Sequence, residues 1–269
     1  MVSRALKEDV GSGDLTTKLL GTGGAPARAA IVAHDSGVLF GIELARRVFR
    51  QLDRRVIFNA VVEDGRKFSA GQVVARLQGP AGPILAGERV ALNFVQRLSG
   101  IATLTAAFVA RADNITVTIL DTRKTTPGLR SLEKAAVKAG GGENHRLGLY
   151  DGVMIKDNHK RLCGGIAEAV KRVQENRSRG VPIYAEAETV AEAEEAAVAG
   201  ADVVMLDNFD PDGASDACLA VNGRAAVEVS GGVTLSNVAA YARTGATRIS
   251  VGTLTHSAPA IDFSMEVEV

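Results

Sequence analysis

The stretch ILDTRKTTPGLR, residues 119–130, decides how the rest of the chain is read. An apolar run suited to a buried strand, ITVTIL (115–120), gives way at once to Asp121, Thr122, Arg123, Lys124, Thr125, Thr126 and Pro127. The same pattern repeats downstream. GVMI (152–155) ends in KDNH, VPIYA (181–185) in EAET and DVVML (202–206) in DNF. AAVEV (225–229) ends in SGGV and TRISV (247–251) in GTLTHS. Helical patterns lie between them at 129–139, 165–178, 189–199 and 235–243. Thr189 and Glu192 predict a capping box for the third. Gly140, Gly180, Gly200 and Gly245 stand where C-terminal stops belong. Alternating strands and helices imply parallel strands joined by crossover helices. In a parallel barrel the C-terminal strand ends carry the chemistry. Arg123 and Lys124 therefore stand where a barrel faces its ligand. Six such strands are visible, so the barrel is either incomplete or borrows strands of a different pattern.

The first hundred residues differ. Residues 27–40 and 56–78 carry short alternating runs broken by Gly and charge, which predict half-exposed strands with a helix near 42–52 between them. GPAGPIL (79–85) is turn-rich, and a long helical pattern covers 86–111 with Gly100 inside it.

Bulk properties narrow the function. The 269 residues suffice for one large domain or two ordinary ones. Lys plus Arg and Asp plus Glu balance at 31 each, which argues against nucleic-acid or membrane-surface partners. Cys163 and Cys218 are far apart and form neither a disulfide framework nor a zinc site, as in a reducing cytosol. No apolar signal region opens the chain and no run is long enough to span a bilayer, so a cytoplasmic location is expected.

The chemistry concentrates at the strand ends. Arg123 and Lys124 follow one strand and Lys156 the next, with His145 and Arg146 in the Gly-rich connection between. Arg binds carboxylate or phosphate as a planar fork and Lys as a point charge, so this set suits a ligand with more than one negative group. The plain alternative is a solvated basic loop paired with Asp121, Glu143, Asp151 and Asp157. Glu186 and Asp207 end neighbouring strands. Two carboxylates in a basic site suit Mg²⁺, held directly or through water, or a developing cation. The plain alternative for Glu186 is a pair with a nearby Lys or Arg, as expected for Glu188 and Asp202. No HExxH or Cys/His cluster suggests a tightly held transition metal. SGGV (230–233) and VGT (251–253) are turns whose N–H groups could cradle phosphate after the last two strands. In ERVALNFVQRLSG (88–100), Arg89, Asn93 and Gln96 form a polar stripe, either solvated, at an interface or serving a site. Together these describe a phosphosugar plus a carboxylic acid.

EDVGSGDLTT (8–17), ERVALNFVQRLSGIAT (88–103), DTRKTTPGLR (121–130), EKAAVKAGGGENHRLGLYDGVMIKDNH (133–159), EAET, MLDNF (205–209), EVSGGV (228–233) and ISVGTLTHSAP (249–259) together resemble the quinolinate phosphoribosyltransferase family. The resemblance runs in order along nearly the whole chain. It implies an α/β fold: an open α/β sandwich over 1–99, rejoined by 258–269, then an incomplete parallel α/β barrel of about seven strands over 100–257. It also implies transfer of phosphoribosyl from phosphoribosyl pyrophosphate to quinolinate with decarboxylation, in NAD biosynthesis, with Mg²⁺. It implies a homodimer, sometimes assembled further, in which Arg89 reaches the partner's site. By the resemblance Arg123, Lys124, His145, Arg146 and Lys156 form the quinolinate pocket. Glu186 and Asp207 serve the ribose and Mg²⁺, and Ser230, Gly231, Gly232 and Gly252 the 5-phosphate. Lys124, Lys156, Glu186 and Asp207 are the expected catalytic groups. Three departures stand out: a start close to the EDV motif, Ala135 in place of a larger residue, and the extra charge of Lys160.

Rival readings remain at this stage. A paralogue associated with molybdenum transport shares the fold. Nicotinate phosphoribosyltransferase takes an acid with one carboxylate and needs fewer cations. A non-catalytic anion-binding barrel has no use for Glu186 and Asp207 beside its ligand. An unrelated phosphosugar barrel enzyme would explain the Gly turns but not the cations.

Overall fold

A computed structural model describes residues 1–113, 116–178 and 180–268. The chain forms two compact units, Met1–Leu104 with Ala258–Val269, and Thr105–Ser257.

The first unit opens with helices α1 (Val2–Asp9) and α2 (Leu15–Leu20). Asp14 caps α2 by accepting the Thr17 N–H at 3.1 Å. Then come β1 (Pro26–Ala33), β2 (Gly37–Val38), α3 (Ile42–Leu52), β3 (Ile57–Ala60), β4 (Lys67–Phe68), β5 (Val73–Pro80) and the start of α4 (Ala81–Ala112). The C-terminal strand Phe263–Glu268, β1, β5 and β3 make an antiparallel sheet in that order. Helix α3 forms where its period predicts. It buries Ile42, Ala45, Val48 and Phe49 as one stripe, with Phe49 stacked on Phe58 at 5.9 Å. Each such fully buried large side chain contributes about 1.5–3 kcal/mol.

Helix α4 starts five residues before the expected position. Pro83 sits in its first turn, where the missing N–H costs no hydrogen bond, so the turn-rich GPAGPIL sequence is helical from Ala81. Gly100, inside α4, is required by a close approach: a Cβ there would collide with the Pro259 carbonyl oxygen of the returning C-terminal segment. Gln96, on the polar stripe, donates to the Phe263 carbonyl at 3.1 Å and so serves this internal junction.

The second unit holds β6 (Thr118–Leu120), α5 (Arg130–Ala139), β7 (Val153–Ile155), α6 (Asp157–Cys163), α7 (Ile166–Asn176), β8 (Ile183–Ala187), α8 (Val190–Val198), β9 (Val203–Asp207), α9 (Pro211–Val221), β10 (Ala226–Ser230), α10 (Val238–Tyr241), β11 (Arg248–Ser250) and α11 (Thr253–His256). The strands are parallel in the order β6-β11-β10-β9-β8-β7. The first strand thus pairs with the last, as an α/β barrel requires. Glu143 adds a seventh position as a single parallel bridge beside Leu120. Among the described residues nothing joins that position to β7, so the barrel is incomplete. The expected strand start at Ile115 lies outside the described residues.

Alternate residues face opposite sides of each strand. Outward, Ala185, Ala187, Val204, Leu206, Val227, Val229 and Ile249 are buried, as are Ala193, Ala196 and Ala197 of α8 and Ala214 and Ala217 of α9. Small residues on both surfaces let helix and sheet approach closely, which accounts for the Ala- and Val-rich composition. The predicted box on α8 is half formed. Thr189 accepts the Glu192 N–H at 3.1 Å, but the Glu192 carboxylate accepts from the Glu188 N–H at 2.8 Å. The pattern expected at 235–243 shortens to the one-turn α10. Helices α6 and α9 lie where no helix is predicted. No helix among the described residues is long and apolar enough to cross a membrane.

Candidate active site

The interior face of the barrel is polar within one layer of its floor. Met154, Tyr184, Val203 and Ala226 align by register and pack together with Met205. Above them the register aligns Glu186, Met205, Glu228 and Arg248. Asp207, Ser230 and Ser250 align above those. The C-terminal strand ends and their turns complete this face.

Lys156, just past β7, donates from Nζ to Glu186 Oε1 at 2.7 Å. This is the ion pair that the plain alternative allowed for Glu186. Glu186 is largely buried and Lys156 half exposed, so the pair lies at the mouth. The Asp207 carboxylate is half buried and has no hydrogen-bond or ion-pair partner among the described residues.

Arg123 and Arg146 come together. Burial, then the Arg123 charge nearby, pushes the Arg146 guanidinium below the usual arginine range. Arg146 Nη1 donates to the Gly152 carbonyl at 2.9 Å. The Nε atoms of both arginines are buried without a hydrogen-bond partner among the described residues. Two adjacent cations with unmet donors in a partly dry site favour an anion. Three of the four carboxylates that would make this a plain ion-paired loop have partners of their own, while Glu143 is exposed and the Asp151 charge also acts on Arg146. Asp121 pairs with Lys134, Asp151 accepts the Leu147 and Gly148 N–H groups at 2.6 and 3.0 Å, and Asp157 faces Lys160 at 3.3 Å. Glu188 and Asp202 pair with Lys160 and Arg177, as expected of them.

Lys124 crosses from the end of β6 toward the end of β11. A Cβ on Gly252 would stand 3.2 Å from both Lys124 Cδ and His256 Nε2. Gly231 and Gly232 both take positive φ, 87° and 63°, and their N–H groups have no partner among the described residues. A side chain on Gly231 would be strained and would strike the side-chain amide oxygen (Oδ1) of Asn208. Such paired free N–H groups form an anion-binding turn. The helix after them, α10, begins only at Val238, so the turn itself supplies the donors.

Arg89 belongs to the first unit, is exposed, and lies 3.9 Å from Glu88. The other sequence-predicted residues all lie in the second unit, at or near the C-terminal strand ends.

Of a buried network beneath the cations, only His145 is in the sequence-predicted set. Lys134 is 1% exposed and Asp121 is 0% exposed, and they pair directly. Lys134 also donates to the His145 carbonyl at 2.8 Å, and the His145 N–H donates to Asp121 at 2.9 Å. With its amide nitrogen turned inward, Asn144 donates to the second Asp121 oxygen at 2.7 Å. Burial pushes the Asp121 carboxyl up, and these donors act against that. Glu228 is wholly buried, accepts from Arg248 Nε at 2.9 Å, and lies 3.4 Å from His145 Nε2. Burial opposes its charge, yet His145 and Arg248 hold its carboxyl below the usual range. The signal was a lone Glu and a lone Arg at inward positions of two otherwise apolar strands.

The family models described as quinolinate phosphoribosyl transferase, N-terminal domain and C-terminal domain, match residues 14–99 and 101–266. A probable nicotinate-nucleotide pyrophosphorylase (carboxylating) of Bacillus subtilis is 47% identical over 260 residues, 97% of this chain and 90% of that one. A quinolinate phosphoribosyltransferase (decarboxylating) of Nicotiana tabacum is 39% identical over 287 residues, 100% of this chain and 81% of that one. The crystal structure of NadC from Streptococcus pyogenes superposes with a TM-score of 0.95 at 38% identity, covering 99% of this chain and 95% of that one.

Proposed function

The chain belongs to the quinolinate phosphoribosyl transferase family, and from that premise we propose how its site performs the family reaction. The protein transfers phosphoribosyl from phosphoribosyl pyrophosphate to quinolinate with loss of CO₂, giving nicotinate mononucleotide and pyrophosphate. The observation that carries the reading is the Arg123–Arg146 pair with its buried Nε donors unmet among the described residues, with Lys124 and Lys156 just past the ends of β6 and β7. A dicarboxylate needs cations at both ends, and this set supplies them.

The Arg123 and Arg146 guanidinium groups, with Lys124 and Lys156, hold the two carboxylates and orient the ring nitrogen. The N–H groups of Gly231 and Gly232, with Ser230 and Gly252, receive the 5-phosphate. The ring nitrogen forms a bond to C1 of the ribose as the C1–pyrophosphate bond breaks. Glu186 and Asp207 stabilise the positive charge that develops at C1. The ring nitrogen then carries positive charge. The C2–carboxylate bond breaks, its electron pair stays on C2 and CO₂ leaves. Lys156 is the group assigned to return the proton to C2, with Glu186 holding its Nζ in place.

Among the described residues no three acidic, His or Cys side chains gather to cage a metal. The unpartnered Asp207 and the neighbouring Glu186 do fit Mg²⁺ carried in on substrate oxygens, since that ion commonly uses one or two carboxylates plus phosphate. When bound, Mg²⁺ supplies positive charge to the leaving pyrophosphate. Arg89, exposed on the first unit, is assigned to the partner's quinolinate pocket in a homodimer that can assemble further.

The test is substrate selectivity. With Mg²⁺ and phosphoribosyl pyrophosphate, quinolinate should yield nucleotide and CO₂ while nicotinate yields neither. Product from nicotinate, or from neither acid, would overturn the reading.

A further inference from the structure

We propose that Lys160 is a positioning residue for the reaction: its buried ammonium ties the turn after β7 to the turn after β8 and so holds Lys156 against Glu186. The inference deepens the quinolinate reading above and rests on it for the role of Lys156.

Strand β7 is three residues long and pairs with β8 from Val153–Ile183 to Ile155–Ala185. Among the described residues it has no strand on its other side. Lys156 is the next residue after the last pair, at the open side of the barrel. It enters α6 as the N-cap. Its carbonyl accepts the Lys160 N–H at 3.0 Å, and its own N–H donates to His159 Nδ1 at 3.0 Å. Both bonds lie within α6 and its cap, so they tie Lys156 to the helix and not the helix to the barrel. Glu186 lies within β8 and is held there by its pairing with β9. The Lys156–Glu186 geometry therefore depends on contacts that keep α6 beside the end of β8.

Lys160, one turn along α6, supplies such contacts, and its side chain is buried. Its Nζ donates to Glu192 Oε2 at 2.8 Å and lies 3.3 Å from Asp157 and 3.7 Å from Glu188. Asp157 belongs to α6 itself, next to Lys156. Glu188 follows β8, two residues after Glu186, and Glu192 stands in the first turn of α8. The Glu192 oxygen that receives Nζ also accepts the Glu188 N–H at 2.8 Å, so the contact reaches the backbone near Glu186. Burial works against the Lys160 charge, but Glu192 and then Asp157 outweigh it and hold the ammonium above the usual lysine range. Removing the one cation among three carboxylates leaves like charges facing each other. The carboxylates would part, and α6 would carry Lys156 away from Glu186. A small displacement of a group that must meet the reacting atoms lowers the rate steeply.

The test joins a kinetic cycle with a structure. Wild-type turnover of quinolinate is measured first, because its absence would sink the underlying reading and leave the Lys160 contacts untouched. Lys160→Met keeps most of the length and removes the charge. It should lower kcat/KM for quinolinate about 10-fold, followed as labelled CO₂ from carbon-14 quinolinate. In a Lys156→Ala background the same change should cost less than about twofold, because the group it positions is already gone. A crystal structure of Lys160→Met should show Lys156 Nζ more than about 4 Å from the Glu186 carboxylate. If Lys160→Met does not fold, Glu192→Gln takes its place. It removes the charge of the nearest partner, keeps an acceptor for the Glu188 N–H, and should cost about threefold with the same dependence on Lys156. A wild-type kcat/KM, an equal loss in both backgrounds, or a Lys156–Glu186 pair still at 2.7 Å would overturn the proposal.

Discussion

Lys156 and Glu186 are joined at 2.7 Å, and the account gives Lys156 both a substrate carboxylate and the proton for C2. Lys156→Ala should lower kcat with quinolinate about 100-fold or more, the scale of general acid catalysis. Full turnover in that variant would remove Lys156 from the chemistry. Glu228 makes a pH prediction. Its folded pKa lies below the ordinary 4.5. The unfolded state therefore binds the proton first as pH falls. The stability Glu228 contributes is complete above 4.5 and is lost as pH falls through the lowered folded value. Between about pH 5 and pH 3, wild type should lose more urea resistance than Glu228→Gln. Equal losses would contradict the assignment. At this scale the sequence was legible where charge broke an apolar run at its end, as at Arg123 and Lys156. It was less legible within a run: AAVEV hid Glu228, because a single inward charge looks like ordinary alternation until register supplies Arg248 and His145 opposite it.

Elements were legible where hydrophobic period and punctuation agreed. Helix α3 occupies 42–52 as read, and β7 to β11 fall within two residues of their apolar runs. Helix α9 was missed because DPDG reads as a turn. Asp210 is in fact the N-cap, accepting the Gly213 N–H at 2.7 Å, with Pro211 at the first helical position. The same ambiguity hid the first turn of α4. The long helix makes its own prediction through Gly100, which faces the Pro259 carbonyl oxygen. Gly100→Ala adds helix propensity worth about 1 kcal/mol, but the collision should outweigh it. A net destabilisation of about 1–3 kcal/mol in urea unfolding is expected. A more stable variant would show that the returning segment does not press on α4.

For the whole molecule, the barrel class was legible because six buried strands in one rhythm leave few other folds, and the missing closure was one of the two readings their number left open. The incomplete side was not legible, since Glu143 contributes one bridge and no strand pattern. Arg89 lies in the first unit, and its assignment to the partner's pocket can be read by mixing. Arg89→Ala and Lys156→Ala proteins should each be inactive alone. If Arg89 crosses the interface, random mixed dimers contain one intact site, and activity should recover to about a quarter of wild type. If Arg89 serves its own chain's site, no site in the mixture is intact and nothing returns.

The most direct measurement uses quinolinate labelled with carbon-13 in its 2-carboxyl group, together with phosphoribosyl pyrophosphate and Mg²⁺. The account predicts one labelled CO₂ for each nicotinate mononucleotide formed. It also predicts no labelled CO₂ when phosphoribosyl pyrophosphate is omitted, because the carbanion needs the positively charged ring nitrogen. Label retained in the nucleotide, or CO₂ released without the phosphoribosyl donor, would contradict it.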